Sequence, residues 1–347
     1  MRRSMFVARA MALALLFSAS SGWTHAQISA TLPISVTLAD RVASYTAGPL
    51  AANAPATNPT AASGFPAKQP LPANAAGANY PIGFGGDFFP LDVSNAAGGG
   101  TIGAVQHHPV YINQPPSHWG NPGAFLTDLG KSDFIHVVDP YTGRYDWNRY
   151  TLGASLSGND PSVTAGVTLG PGYIFSLVHA AAAYLGASGP GHIYHLFVPQ
   201  GVNVCFSATY CYSPNNPASW AFCSLHTYAI FSDSVGEVLL TVEPYQNVVG
   251  CNVPPTTTPN GQVADSTNNA LAHEVFETIT DPLFTSWYLT NYDLSYGSEI
   301  ADICDTYSIV GNNFYRSNPN VTLNGNLYNV QRIYSNQFHS CTNRSGD

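Results

Sequence analysis

The chain has 347 residues, only 9 % of them charged, and a formal net charge of −9. Eleven basic residues against twenty acidic ones provide no cationic surface for nucleic acid. No apolar run reaches the length a membrane-spanning helix needs.

The N-terminus reads as an export signal. "MRRSMFVARA" carries Arg2, Arg3 and Arg9 and no acid; "MALALLFSAS" is a short apolar run; "THA" offers small residues before Gln27. This order of basic start, apolar middle and small-residue exit predicts a signal peptide over residues 1–26. Its removal takes the net charge from −9 to −12 and leaves eight basic residues. The expected mature protein is secreted, extracellular or periplasmic, and not membrane-bound after cleavage.

Residues 27–80 form an N-terminal segment. "ISATLPISVTLADRVASY" alternates like a short strand. Residues 46–80 are rich in Ala and Pro with one charge, Lys68, the composition of an extended tether.

Residues 81–347 read as one globular domain. "HHPVYINQ" predicts a strand, and "NPGAFLTDLGKSDFIHVV" a helix followed by a strand. "YIFSLVHAAAAYLG" is apolar on a helical period and stops at Gly186. "GHIYHLFVP", "LHTYAIF" and "EVLLTVEPY" predict three more strands. "ALAHEVFETITDP" predicts a helix capped by Asp265 or Ser266 and stopped by Pro282. "NLYNVQRIYSNQF" holds a final strand. The expected class is α+β, with a mixed sheet packed on the helix that carries the site.

Six cysteines, Cys205, Cys211, Cys223, Cys251, Cys304 and Cys341, all lie in the mature chain. An even count in an exported protein favours disulfides over a metal knuckle at "CFSATYC". The first four are expected to pair among themselves, and Cys304 with Cys341.

The chain has only five glutamates, Glu237, Glu243, Glu274, Glu277 and Glu299, and two of them flank one helical turn with His273. On a helix, residues four apart share a face, so His273 and Glu277 reach one ion while Glu274, one position on, leans over it as a base. Metalloproteases use this logic in H-E-x-x-H. At this glutamate frequency an H-E-x-x-E pattern arises by chance in roughly a few chains in a thousand. "GSEIADICD" supplies the third ligand from Glu299, Asp302 or Asp305, with Glu299 preferred and Asp302 the alternative. Capping or salt-bridging acids would need cations, and this domain has few. Four such groups converging without an ion would repel one another.

The spacing from Glu277 to Glu299 resembles that of the gluzincin peptidases, with a carboxylate in place of the second histidine. A wider resemblance runs from about residue 192 to the end. "FCSLHTYAIF", Cys251, "NGQVADSTNNALAHEVFETITDPLFTSWY" and "SEIADIC" occur in the order found in the plant phosphate-induced, or Exordium-like, proteins. His273, Glu274, Glu277, Asp281-Pro282, Trp287-Tyr288, Glu299, Asp302 and Cys304 fall on that pattern, with Asp281 replacing the usual Asn. The resemblance implies a secreted protein with a zincin-like core.

Of the remaining residues, His226 is expected to be a hydrogen-bonded core histidine, with an extra ligand as the alternative. His107, His108 and His118 are expected on a surface loop, with a second metal site as the alternative. Tyr288 and Tyr296 follow the helix and are weak candidates for polarising a carbonyl. Asp160 and the "GPG" at 170–172 read as turn residues. The functional expectation is a secreted, Zn2+-dependent metallopeptidase acting on an extracellular peptide or protein. Glu274 is its base, and His273, Glu277 and Glu299 or Asp302 its ligands. The competing expectation is a non-catalytic Exordium-like binding or signalling protein, with cell-wall or carbohydrate association as a sub-case.

Overall fold

A computed structural model describes residues 29–31, 45–47 and 51–53 and, between 92 and 344, all but 96, 217, 290–298 and 307–319. The predicted signal peptide and most of the predicted tether lie outside these residues.

The protein is a mixed α+β structure built on a nine-stranded sheet. Its strands in chain order are β1 (Ser29–Thr31), β2 (Tyr45–Ala47), β3 (Ala51–Asn53), β4 (Val105–Ile112), β5 (Tyr150–Leu152), β6 (Ser155–Gly158), β7 (His192–Phe197), β8 (Ser224–Phe231) and β9 (Glu237–Glu243). The spatial order is β1-β6-β4-β7-β9-β8-β2, with β5 also on β4 and β3 also on β8. β4, β7 and β9 run parallel, and β8 turns back antiparallel to β9. The predicted strand "EVLLTVEPY" is therefore interior. The outer edge of β8 is the one beside the site, and β3 pairs with it at Ser224, Leu225 and His226.

Two helices cover the sheet. α3 (Pro171–Leu185) packs on one face and ends at Gly186, whose φ of 59° suits a residue without a Cβ. α4 (Gln262–Thr280) packs on the other. β8 and β9 lie on one side of α4. On the other side lie α1 (Pro122–Leu129), two short 3₁₀ turns and the hairpin of Asn320–Leu323 and Asn326–Asn329. Nearly every α4 residue is consequently buried. Its polar N-terminal half is pinned by neighbours. Asp265 accepts from the amides of Asn260 and Asn329, Ser266 from that of Val253, and Asn269 from that of Gln331. Asp128 ties the same hairpin to α1 by accepting from Asn324, Asn326 and Tyr328.

Three local expectations are corrected. α4 begins one turn before the predicted cap, after Gly261, because Asp265 and Ser266 bond neighbouring segments instead of capping. "SDFIHVV" forms a 3₁₀ turn over Asp133–Val138, where His136 reaches Asp139 three residues on. The C-terminal stretch is split into two short strands, Asn326–Asn329 and Ile333–Ser335, because Gln331 turns inward to His273. The cysteines form three disulfides, Cys205–Cys211, Cys223–Cys251 and Cys304–Cys341. This is the expected grouping, and it suits an oxidising compartment. Among the described residues no helix is long and apolar enough to cross a membrane.

Candidate metal centre

Three elements meet at the C-terminal half of α4. α4 supplies His273, Glu274 and Glu277. β8 supplies Ser224 and His226, two apart and so on one face. The segment from Glu299 into the short helix α5 (Asp302–Thr306) supplies Glu299 and Asp302. All seven side chains are buried.

His273 Nε2 lies 3.1 Å from Glu277 Oε2 and 3.4 Å from Asp302 Oδ1. Two donors about 2.1 Å from a tetrahedral ion sit about 3.4 Å apart, so these separations match a shared zinc-sized ion. His273 Nε2 and Glu277 Oε2 are both buried, and neither has a well-aligned hydrogen-bond partner. Their lone pairs thus converge on a common point without satisfying each other. Behind the ring, Nδ1 faces Gln331 Oε1 at 3.3 Å, and Gln331 donates to the Ala301 carbonyl. An Nδ1–H on Gln331 leaves the Nε2 lone pair for a metal, the usual arrangement behind a ligating histidine.

A second trio, His226, Glu274 and Glu277, also converges closely enough to bind an ion. His226 Nε2 lies 3.8 Å from Glu277 Oε2 and 3.1 Å from Glu299 Oε2. Glu277 therefore stands between two imidazoles, one from α4 and one from β8. Glu274 is held at Oε1 by the Ser224 hydroxyl at 2.6 Å, while its Oε2 is buried without a partner.

The electrostatics suit a cation. Four acids, Glu274, Glu277, Glu299 and Asp302, face two histidines. Burial, then repulsion from Asp302, raises Glu277; burial, then repulsion from Glu277, holds Glu299 well above the carboxylate range. Burial also holds Glu274 well up, against the pull of His273. Burial disfavours a charged His273, but Glu277 and Asp302 outweigh it and hold the ring well above its ordinary value. Burial lowers His226 to about 4. A metal-free cluster must retain protons to exist, and a dication can take their place. The donor set of imidazoles and carboxylates, with orphaned buried atoms, fits a divalent metal.

The structure thus brings together His273, Glu277 and Asp302. It places Glu299, the preferred third ligand, against His226. His226 is the expected buried, hydrogen-bonded histidine, and its partner Glu299 and its place beside Glu274 and Glu277 also put it in this cluster. The signal was the alternation in "CSLHTY", which puts Ser224 and His226 on the face that meets α4. Tyr210 was missed as well. It sits inside the Cys205–Cys211 loop, and burial, with the charges of Glu274, Asp302 and Glu277, keeps its phenol protonated far above its usual range. Tyr288 instead pairs with Ser94 in a short strand, and Tyr296 lies outside the described residues. The side chain of Asp305 is likewise outside them. His107 and His108 are not loop residues: both are buried in β4, where they meet His195 and His192. His118 is half-buried against Trp119 and Tyr245.

Searches of protein-family models, curated proteins and solved structures found no match to this chain.

Proposed function

We propose that this protein is an exported zinc-dependent hydrolase, a metallopeptidase with a zincin-like core. The observation that carries the reading is the convergence of His273 Nε2, Glu277 Oε2 and Asp302 Oδ1, the first two buried without a well-aligned hydrogen-bond partner. His273, Glu277 and Asp302 would hold the ion, and His226 brings the second imidazole that an H-E-x-x-E helix lacks. When bound, zinc supplies Lewis-acid polarisation of a carbonyl and acidifies a water.

The chain's own groups do the rest. Glu274 Oε2 accepts the water's proton while Ser224 fixes the other oxygen, and the carboxyl then hands that proton to the leaving amine. An extended peptide aligns along β8 by strand addition, at the edge where β3 pairs. Glu274→Gln tests the mechanism: peptide cleavage should vanish while zinc content stays unchanged. Cleavage at the wild-type rate would refute it.

A second reading has its own support. Every described member of the cluster is closed off from solvent. A metal used only to brace an extracellular binding protein needs no entry path for substrate, and the motif order shared with the Exordium-like proteins agrees with such a role. Under this reading Glu274→Gln changes stability and nothing else.

A further inference from the structure

A second polar array crosses the α4 face of the sheet beside the metal cluster. His107 of β4, His195 of β7, and Thr241 and Glu243 of β9 are all buried. Thr241 stands opposite His195 in the strand register. His107 Nδ1 lies 2.9 Å from His195 Nε2, and His195 Nδ1 lies 2.9 Å from Thr241 Oγ1. Thr241 Oγ1 donates to Glu243 Oε1 at 2.7 Å.

The donor inventory fixes the direction of this chain. A hydroxyl has one proton, and Thr241 gives it to Glu243, so Thr241 accepts from His195 Nδ1–H. A neutral imidazole has one N–H, so His195 Nε2 accepts, and its donor is His107 Nδ1–H. Burial keeps both rings neutral, lowering His107 to about 3 and His195 well below the usual imidazole value. With Glu243 ionised, three hydrogen bonds therefore point one way, toward it; with the proton on Oε1 all three reverse. Glu243 Oε2 is buried with no partner; burial raises Glu243 against the Thr241 hydrogen bond and the charge of His273, and the charge of Glu243 adds to the burial that raises Glu274. Four polar groups buried in a row carry a desolvation cost that apolar residues would avoid.

We propose that His107, His195, Thr241 and Glu243 form a proton relay that lets Glu243 change its charge in step with occupancy of the metal site. A proton taken up at His107 Nε2 releases the Nδ1 proton to His195 Nε2. His195 releases its Nδ1 proton to Thr241 Oγ1, and Thr241 releases its own to Glu243 Oε1. One proton enters and one arrives; only N–H and O–H bonds form or break. The reverse sequence discharges Glu243 when a dication enters nearby. The purpose of the relay rests on the metal reading, but the hydrogen-bonded chain does not.

Long-range ¹H–¹⁵N spectra of the histidine rings in the folded mature protein test this, without and with one equivalent of zinc. In zinc-loaded wild type both His107 and His195 should be Nδ1–H tautomers. Thr241→Val removes the acceptor of His195 Nδ1–H and should move both rings to Nε2–H, although residue 241 does not touch His107; Thr241→Ser should restore the wild-type spectrum. An unchanged His107 in folded Thr241→Val, or opposite tautomers at the two rings in wild type, would overturn the relay. Zinc addition should shift His107 in wild type and leave it unmoved in Thr241→Val. Stoichiometric zinc binding with no response at His107 overturns the coupling. A wild type that binds no zinc sinks the metal reading instead, and the valine and serine variants, compared above pH ~8 where Glu243 is ionised, then decide the relay alone.

Discussion

On the α3 side of the sheet, Val110, Leu196, Leu240 and Leu225 from four adjacent strands pack against Ile174, Val178 and Ala181 of the helix. On the α4 side the same four strands present His107, His195, Thr241 and His226, all buried. Period-two alternation places both sets in the same strands, so the backbone is common and the chemistry is not. The apolar face gains stability by removing hydrocarbon from water. The α4 face also carries apolar residues, Tyr111, Ile193, Phe197 and Leu239, so it keeps part of that gain while adding the cost of its buried polar groups. His107, His195, His226 and Glu243 are thus gathered on one face of the sheet, beside the candidate site.

Substitutions on the two faces should therefore fail in different ways. The largest effect is expected from Glu274→Gln, which should lower peptide hydrolysis by about 10²- to 10⁴-fold, the usual range for a lost general base. The metal-free variant should also be more stable than wild type to urea, since it removes an acid that burial disfavours. A variant less stable than wild type would contradict the picture of a strained polar face.

Leu240→Ala, on the opposite face, should cost about 2–5 kcal/mol in urea unfolding, the range for a cavity at a fully buried leucine. Zinc content and the hydrolysis rate should not change. Loss of zinc in this variant would mean that the two faces are not separable.

A subtler contrast lies in pH. Burial raises Glu243 from 4.5 to about 8 in the folded, metal-free protein. Between those values the folded state holds a proton that the unfolded state has lost, so this group's contribution to stability falls as pH rises through the window. Glu243→Gln lacks that term. In EDTA, the stability of the variant relative to wild type should grow from pH ~4.5 to pH ~8 and then level off. A constant difference across that range would show that Glu243 is not held protonated by burial.

The smallest effect concerns the edge of β8. Residues 51–53 pair there at Ser224 to His226. If peptides bind by strand addition, they compete with this segment. Removing residues 27–53 should then raise cleavage a few-fold with zinc content constant. Slower cleavage by the shortened chain would place the substrate elsewhere.

The sequence showed unequal parts of this arrangement. α3 and the interior strands were legible because they carry strong periodic patterns bounded by glycine or proline. His273, Glu274 and Glu277 were legible because helical spacing alone puts them together and because glutamate is scarce. Glu299 and Asp302 were found as a pair with Glu299 preferred, whereas the structure groups Asp302 with His273 and Glu277; that choice depends on how the segment before α5 turns back on α4. The histidines of β4 were misread for a different reason. Proline at 109 suggested a loop, yet β4 is an interior strand of the sheet. Whether a strand histidine meets solvent, a helix or an ion depends on which strands are its neighbours, and order in a sheet is not written locally. The relay of His107, His195, Thr241 and Glu243 draws on three separated segments and was invisible for the same reason.

The most direct test is elemental analysis of the purified mature protein, wild type beside Glu277→Ala. The account predicts close to one zinc per chain in the wild type, removable by EDTA with loss of stability, and almost none in the variant. A wild type that carries no divalent metal and is equally stable after EDTA, or a Glu277→Ala protein that retains its full zinc, would contradict it.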